Sequence, residues 1–278
     1  MQRLQGKVAL VTGAGRGLGW GIARALGRHG ARVCLTDIDD GELGRAQADL
    51  DADGSQAMAR LLDVSDLDAV RAAVDAVAGA WGRLDIVVHS AIFMPLVLFD
   101  DLSPAVWQRQ IDVSLGGLFN VTHAVWELMK AQGGGHIIGI ASGSSVRGYK
   151  EEVAYCAAKH AQEGFVKALA LEAAAYRIAV NTVGPGRAIK PTRITWNELD
   201  ALPPEQKAQW ADPVQLGQAF AWLAAQDPAA YSGLRFDAGP IVDTIAGEGF
   251  DFTFAPGKVT LYVDDFVARR QRQANYPD

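Results

Sequence analysis

Short runs of Val, Ile and Leu alternate along this chain with longer Ala-rich segments, and no other feature restricts its possible folds so sharply. The runs at residues 7–12, 32–36, 84–89, 135–141, 178–183 and 234–237 are short and mostly apolar, and a further stretch closes at Asp63-Val64. Such runs are expected where helices cover both faces of a sheet. Residues 21–29, 42–50, 69–79, 106–129, 153–176 and 213–225 read as the intervening helices. Right-handed crossovers then give an α/β, doubly wound parallel sheet of about seven strands, with ligands outside the carboxyl ends of the strands. No linker rich in Pro, Gly or Ser divides the chain, so residues 1–278 are expected to form one domain.

Two segments break the rhythm. Residues 187–212 read as a long loop with room for one helix, where a substrate lid would lie. Residues 240–278 read as a C-terminal extension, with Phe250, Phe252 and Phe254 alternating before the charged stretch 269–272, packed on the parent domain or on a sister subunit.

With 49% hydrophobic and 21% charged residues the chain can bury a substantial core. A net charge of -6 without a Lys/Arg run argues against nucleic acid as a partner and for a small molecule. Cys34 and Cys156 suggest neither a disulfide framework nor a metal site, which suits a reducing cytoplasm. No secretory signal is read, no apolar run is long enough for a membrane helix, and no histidine has metal-ligand spacing.

Thr12-Gly13-Ala14-Gly15-Arg16-Gly17-Leu18-Gly19 falls where the first strand hands over to the first helix. Glycines there let the backbone approach a pyrophosphate, whose charge is met by the helix N-terminus, so Gly13, Arg16, Gly17, Leu18 and Gly19 are expected to bind a dinucleotide in a Rossmann-like domain. Asp37, at the end of the second strand, is placed to accept from adenosine ribose hydroxyls and to repel a 2'-phosphate, which favours NAD over NADP. Arg16 pulls the other way. Asp63, followed by Val64, is placed either against the adenine amino group or as the cap of the next helix.

Tyr155 and Lys159 are four residues apart on one helix and so share a face, where an ammonium would favour the phenolate and make Tyr155 a usable base. Ser142 follows the strand at 135–141, where its hydroxyl can steady a substrate oxygen. The glycine turn, Asp37, Ser142, Tyr155, Lys159, Asn181-Thr-Val-Gly-Pro185-Gly186 and the closing residues 232–239 together resemble the short-chain dehydrogenase/reductase family from about Val8 to Gly239. The resemblance implies Tyr155 as general acid/base, Ser142 as the residue that orients the reacting oxygen, and Lys159 as a ligand of the nicotinamide ribose. It also implies Ser90, Ala91, Pro185 and Gly186 beside the cofactor, and a homodimer or homotetramer built on the helices at 106–129 and 153–176.

The chain departs from that pattern in three places. His89-Ser90-Ala91-Ile92 stands where the family usually has Asn-Asn-Ala-Gly, Ser114 where it commonly has an Asn holding a relay water, and Lys190 where it often has a Thr. His89 is either a proton shuttle or a structural histidine, and Lys190 can meet a phosphate or an anionic substrate. Phe93, Met94, Ser144, Tyr149, Arg187, Lys190, Trp196 and His89 are the expected substrate lining, suiting an apolar or aromatic body with an anionic group. NAD-dependent interconversion of a secondary alcohol and a ketone is the leading expectation. A lyase or dehydratase with recycled NAD, or a cofactor-binding scaffold, are the alternatives.

Overall fold

In the computed structural model, which describes residues 2–254, the apolar runs become seven strands: β1 (Val8–Thr12), β2 (Arg32–Asp37), β3 (Ala57–Leu61), β4 (Ile86–His89), β5 (Gly135–Ile140), β6 (Ile178–Gly184) and β7 (Arg235–Asp237). They form one parallel sheet in the order β3-β2-β1-β4-β5-β6-β7. Their side chains alternate between two cores. Ala9, Val11, Val33, Leu35, Ile86 and Val88 face one, and Val8, Leu10, Cys34, Val87, Ile137 and Val180 face the other. β3 is the exception to the expectation of apolar strands, because it is an edge strand whose Ala59, Arg60 and Leu61 are exposed.

The helices are α1 (Gly17–Arg28), α2 (Asp40–Ala52), α3 (Leu67–Trp81), α4 (Pro104–Ile111), α5 (Gly117–Gln132), α6 (Val153–Ala173), α7 (Trp196–Ala201), α8 (Pro204–Lys207), α9 (Pro213–Ala224) and α10 (Ala238–Glu248). α1, α2, α9 and α10 cover the first core, and α3, α5 and α6 the second. α1 and α9 pack almost backbone to backbone, since a Cβ on Gly217 would lie 2.5 Å from the Gly21 carbonyl oxygen. No described helix is long and apolar enough to cross a membrane.

Two expectations need correction. The single helix expected at 106–129 is interrupted by a wider, π-type turn at Asp112–Gly116, an insertion that often marks a functional site. The loop at 187–212 holds two short helices, α7 and α8, because Thr195 and Glu198 form a capping box and Pro204 opens the second. The segment after β7 begins as α10. Phe252 stacks on Trp222 with centroids 4.8 Å apart, Phe254 meets the same indole edge-on at 5.3 Å, and Phe250 lies against His29. These aromatics therefore pack on the parent domain. The charged stretch 269–272 lies outside the described residues.

Two histidines sit inside the sheet, His89 on β4 and His136 on β5, and burial pushes their imidazoles down to about 3 and about 4. The unfolded chain, with ordinary values near 6.5, binds more protons below that pH, so stability falls as pH drops from 6.5 through 4 towards 3. A loss on the order of 1–3 kcal/mol per histidine is expected. Calorimetric Tm should already decline between pH 6.5 and 5, before carboxylates protonate, and a flat Tm over that interval would contradict the burial of both rings.

Candidate active site

Because every strand is parallel, Thr12, Asp37, His89, Ile140 and Gly184 all emerge at one edge of the sheet. Connections leave β1 and β4 in opposite directions, which opens a crevice between these neighbours.

The glycine turn lines this crevice. Gly13 takes φ +62, and a Cβ there would lie 2.6 Å from Ala91 Cα; one on Gly19 would lie 2.1 Å from the Gly13 carbonyl oxygen, so neither position tolerates a side chain. Above Gly17 the space is open, with nothing nearer than the Lys190 side chain at 3.9 Å. α1 carries no acidic residue in its first turn, and its positive end faces outward with Leu18 only half-buried. An open cradle of backbone beside an unopposed helix N-terminus suits a diphosphate. Asp37 Oδ2 accepts from the Gly15 N–H at 2.9 Å and Oδ1 from the Asp39 N–H at 3.1 Å, which fixes the carboxylate at the end of β2. Arg16 is engaged: Nε donates to the Thr192 carbonyl, and its guanidinium lies 3.5 Å from Glu42 and 3.9 Å from Asp39. Lys190 reaches across the turn to the carbonyls of Pro191 and Ile194, and burial, with Arg16 nearby, brings its ammonium down to about 8.

Asp63 is not the cap of α3. Asp66 fills that role by accepting from Asp68 and Ala69 N–H. Asp63 instead accepts from Ser65 and from Arg109, and although burial works against it, these bonds hold its carboxyl below the usual range. Val64 is buried, its carbonyl accepting from Asn120. Ser90 and Ala91 donate their N–H groups to Thr12 Oγ1. Pro185 and Gly186 follow β6, where the Pro185 carbonyl accepts from Gly239 and Gly186 takes φ +62.

Ser142, Tyr155 and Lys159 come together beyond β5. Ser142 opens a tight turn, its Oγ accepting from Ser144 N–H while Ser145 Oγ accepts from Ser142 N–H. Lys159 Nζ lies 5.6 Å from the Tyr155 ring centroid and donates to the Ile140 carbonyl at 2.6 Å and to Gln162 Oε1 at 3.0 Å. The electrostatics differ from the expectation of a phenol lowered by its lysine. Burial pushes Tyr155 up to about 12, against a smaller lowering by the Ser142 hydroxyl, and Glu152 raises it further. Burial likewise brings Lys159 down to about 7, with Glu163 opposing and Arg235 assisting. Burial thus disfavours the charged form of both groups.

Several expected substrate contacts are engaged elsewhere. His89 is 1% exposed, hydrogen-bonded at both ring nitrogens to Thr12 and to the Ser114 carbonyl, and too hard to protonate to act as a shuttle. Ser144 is buried and donates to Glu152 at 2.7 Å. Arg187 pairs with Asp243 on α10. Trp196 is buried edge-on against Trp20, its indole N–H donating to the Gly15 carbonyl at 2.8 Å. Ser114 is buried and its Oγ accepts from Gln110. Phe93 and Met94, after β4, are half-buried, and Tyr149 is exposed beside Gly143. Gln162, Glu163 and Arg235 were not foreseen. For Gln162 and Glu163 the signal is a pair of polar residues on the stripe of α6 that otherwise carries Ala154, Ala158, Val166 and Ala170 inward.

The sequence model of the short chain dehydrogenase family matches residues 7–201. The chain is a short-chain dehydrogenase/reductase. This dehydrogenase/reductase is 39% identical over 183 residues to D-threitol dehydrogenase of Mycolicibacterium smegmatis, covering 66% of this chain and 70% of that one. To 3-alpha-(or 20-beta)-hydroxysteroid dehydrogenase of Mycobacterium tuberculosis it is 35% identical over 247 residues, 88% of this chain and 92% of the other. Among solved structures it superposes on a metagenomic short-chain oxidoreductase in complex with NADP with a TM-score of 0.71 and 31% identity, covering 83% of this chain and 95% of that one.

Proposed function

We propose that this short-chain dehydrogenase/reductase interconverts a secondary alcohol and a ketone with NAD, and that Tyr155 is its acid/base. The observation that carries the reading is the grouping of Ser142, Tyr155 and Lys159 at the carboxyl edge of the sheet, next to the glycine cradle. Bound nicotinamide would supply the acceptor or donor of hydride. Ser142 Oγ holds the substrate oxygen. In oxidation the Tyr155 phenolate takes the hydroxyl proton as the carbon loses hydride, and in reduction the phenol returns that proton to the ketone oxygen. In its ammonium form Lys159 favours the phenolate, and it would also hold the nicotinamide ribose.

Asp37 supports NAD over NADP. Two like charges about 5 Å apart repel by about 1 kcal/mol even in bulk water, and a 2'-phosphate carries more than one, so roughly tenfold discrimination is expected. Arg16 does not offset this, being held by Asp39, Glu42 and the Thr192 carbonyl. Lys190, beside open Gly17, is suited to a cofactor phosphate, and Asp63 with Val64 to the adenine side. The half-buried Phe93 and Met94 and the exposed Tyr149 suit a substrate with an apolar body, beneath a lid formed by residues 187–212. Trp107, Phe119 and Val153 expose apolar surface on α4, α5 and α6, which supports a homodimer or homotetramer through these helices. The free Cys34 and Cys156 suit the cytoplasm.

Purified protein, sized by light scattering, is to be assayed with a panel of secondary alcohols and either NAD or NADP. Absorbance of reduced cofactor should grow, with kcat/KM about tenfold higher for NAD. Turnover without net reduction of cofactor, or a preference for NADP, would refute the corresponding part of the proposal.

A further inference from the structure

A line of hydrogen bonds joins the glycine turn to the catalytic helix. The Ser90 and Ala91 N–H groups donate to Thr12 Oγ1 at 3.1 and 3.2 Å. With its acceptor sites taken, the hydroxyl sends its own proton to His89 Nδ1, 3.1 Å away. The ring is then protonated on Nε2, which donates to the Ser114 carbonyl at 3.1 Å. From the other side Gln162 Nε2 donates to the same carbonyl at 2.6 Å, and that contact fixes the amide so that Oε1 faces Lys159 Nζ at 3.0 Å. Thr12, His89, Ser114, Lys159 and Gln162 are all at most 3% exposed.

The Ser114 carbonyl accepts from both directions and bears no proton, so protons do not pass along this line. Its effect is mechanical. A buried amide is costly unless its polar atoms are matched, and here both ends of Gln162 are used, one on the π-type turn and one on the lysine. Among the described residues Lys159 is otherwise hydrogen-bonded only to the Ile140 carbonyl, and its flexible stem would leave the ammonium freer to swing.

We propose that Gln162 is the positioning residue of Lys159, its amide tying the ammonium to the Ser114 carbonyl and, through His89 and Thr12, to the glycine turn. This rests on the reading of Lys159 as a functional lysine but is testable apart from turnover. The charged or titratable groups facing Lys159 are Tyr155 and Glu163 from α6, Arg235 from β7 and His89 from β4. Only Glu163 is an anion, so loss of the Gln162 acceptor leaves the ammonium short of support.

The test uses Gln162→Leu and Gln162→Glu in the full chain, each checked for its fold by circular dichroism. The Lys159 resonance, assigned by its loss in Lys159→Met, is titrated by NMR without cofactor. In Gln162→Leu the Lys159 pKa should fall by about one unit, because the lost bond favoured the ammonium. In Gln162→Glu it should rise by a similar amount, even though the bond to Ser114 is broken. kcat should be about tenfold lower in the Leu variant. Lys159 titration unchanged in folded variants would overturn the proposal, and if Gln162→Leu does not fold, Gln162→Glu alone decides it by the same reading. If wild type turns over no alcohol, the acid/base reading fails while the NMR shift still reports on Gln162.

Discussion

Replacing Tyr155 by Phe should lower kcat for alcohol oxidation by about 10²–10⁴-fold and leave cofactor affinity, followed by fluorescence titration, within about twofold. The ring is 8% exposed, so Phe fills the same space and only the hydroxyl is lost. The wild-type enzyme should also show a directional pH response. Burial holds the phenol near 12, and only the phenolate can accept a proton, so oxidation climbs with pH well into the alkaline range. Ketone reduction begins from the phenol and shows no such climb. Residual oxidation in Tyr155→Phe above a few per cent of wild type would assign the proton to another group.

The second large effect concerns stability. Glu163 lies between two cations: its carboxylate accepts from Arg235 at 2.8 Å and from Thr182 at 3.0 Å, and it favours the ammonium of Lys159. Arg235 in turn donates to the Ser142 carbonyl, and both side chains of the ion pair are only 10% exposed. Glu163→Leu is expected to cost about 3 kcal/mol, because it removes the near partner of a buried guanidinium and leaves it only Asp237, 3.9 Å away. Urea unfolding reads this as a lower midpoint at unchanged slope. The same variant should depress Lys159 further, since it removes the carboxylate that favours the ammonium while Arg235 stays. A midpoint shift worth less than about 1 kcal/mol would mean that water reaches Arg235 and that the pair is not structural.

Much of the fold was legible because strand periodicity, glycine placement and helix caps all act locally. The runs at 7–12 and 178–183 became β1 and β6 nearly to the residue, since central strands are apolar on both faces. β3 was less distinct because an edge strand has fewer neighbours to demand apolar residues. The π-type turn at Asp112–Gly116 was invisible, as its cause is tertiary: Ser114 must meet both β4 and α6. Tyr155 and Lys159 were readable from a spacing of four. Their ionisation was not, because spacing places the two groups on one face but does not show how deeply they are buried. His89 and Ser114 looked like isolated departures, and only their shared partners show them to be one rearrangement with Gln162.

The indole of Trp196 gives the opening turn of α7 a rigid grip on the Gly15 carbonyl, in the glycine turn between β1 and α1. Whatever shifts that peptide plane therefore tugs on the segment that holds α7. Under the proposed function, coenzyme and alcohol would feel each other's arrival through this contact and the neighbouring Arg16–Thr192 bond, and any such coupling would be equal in both directions.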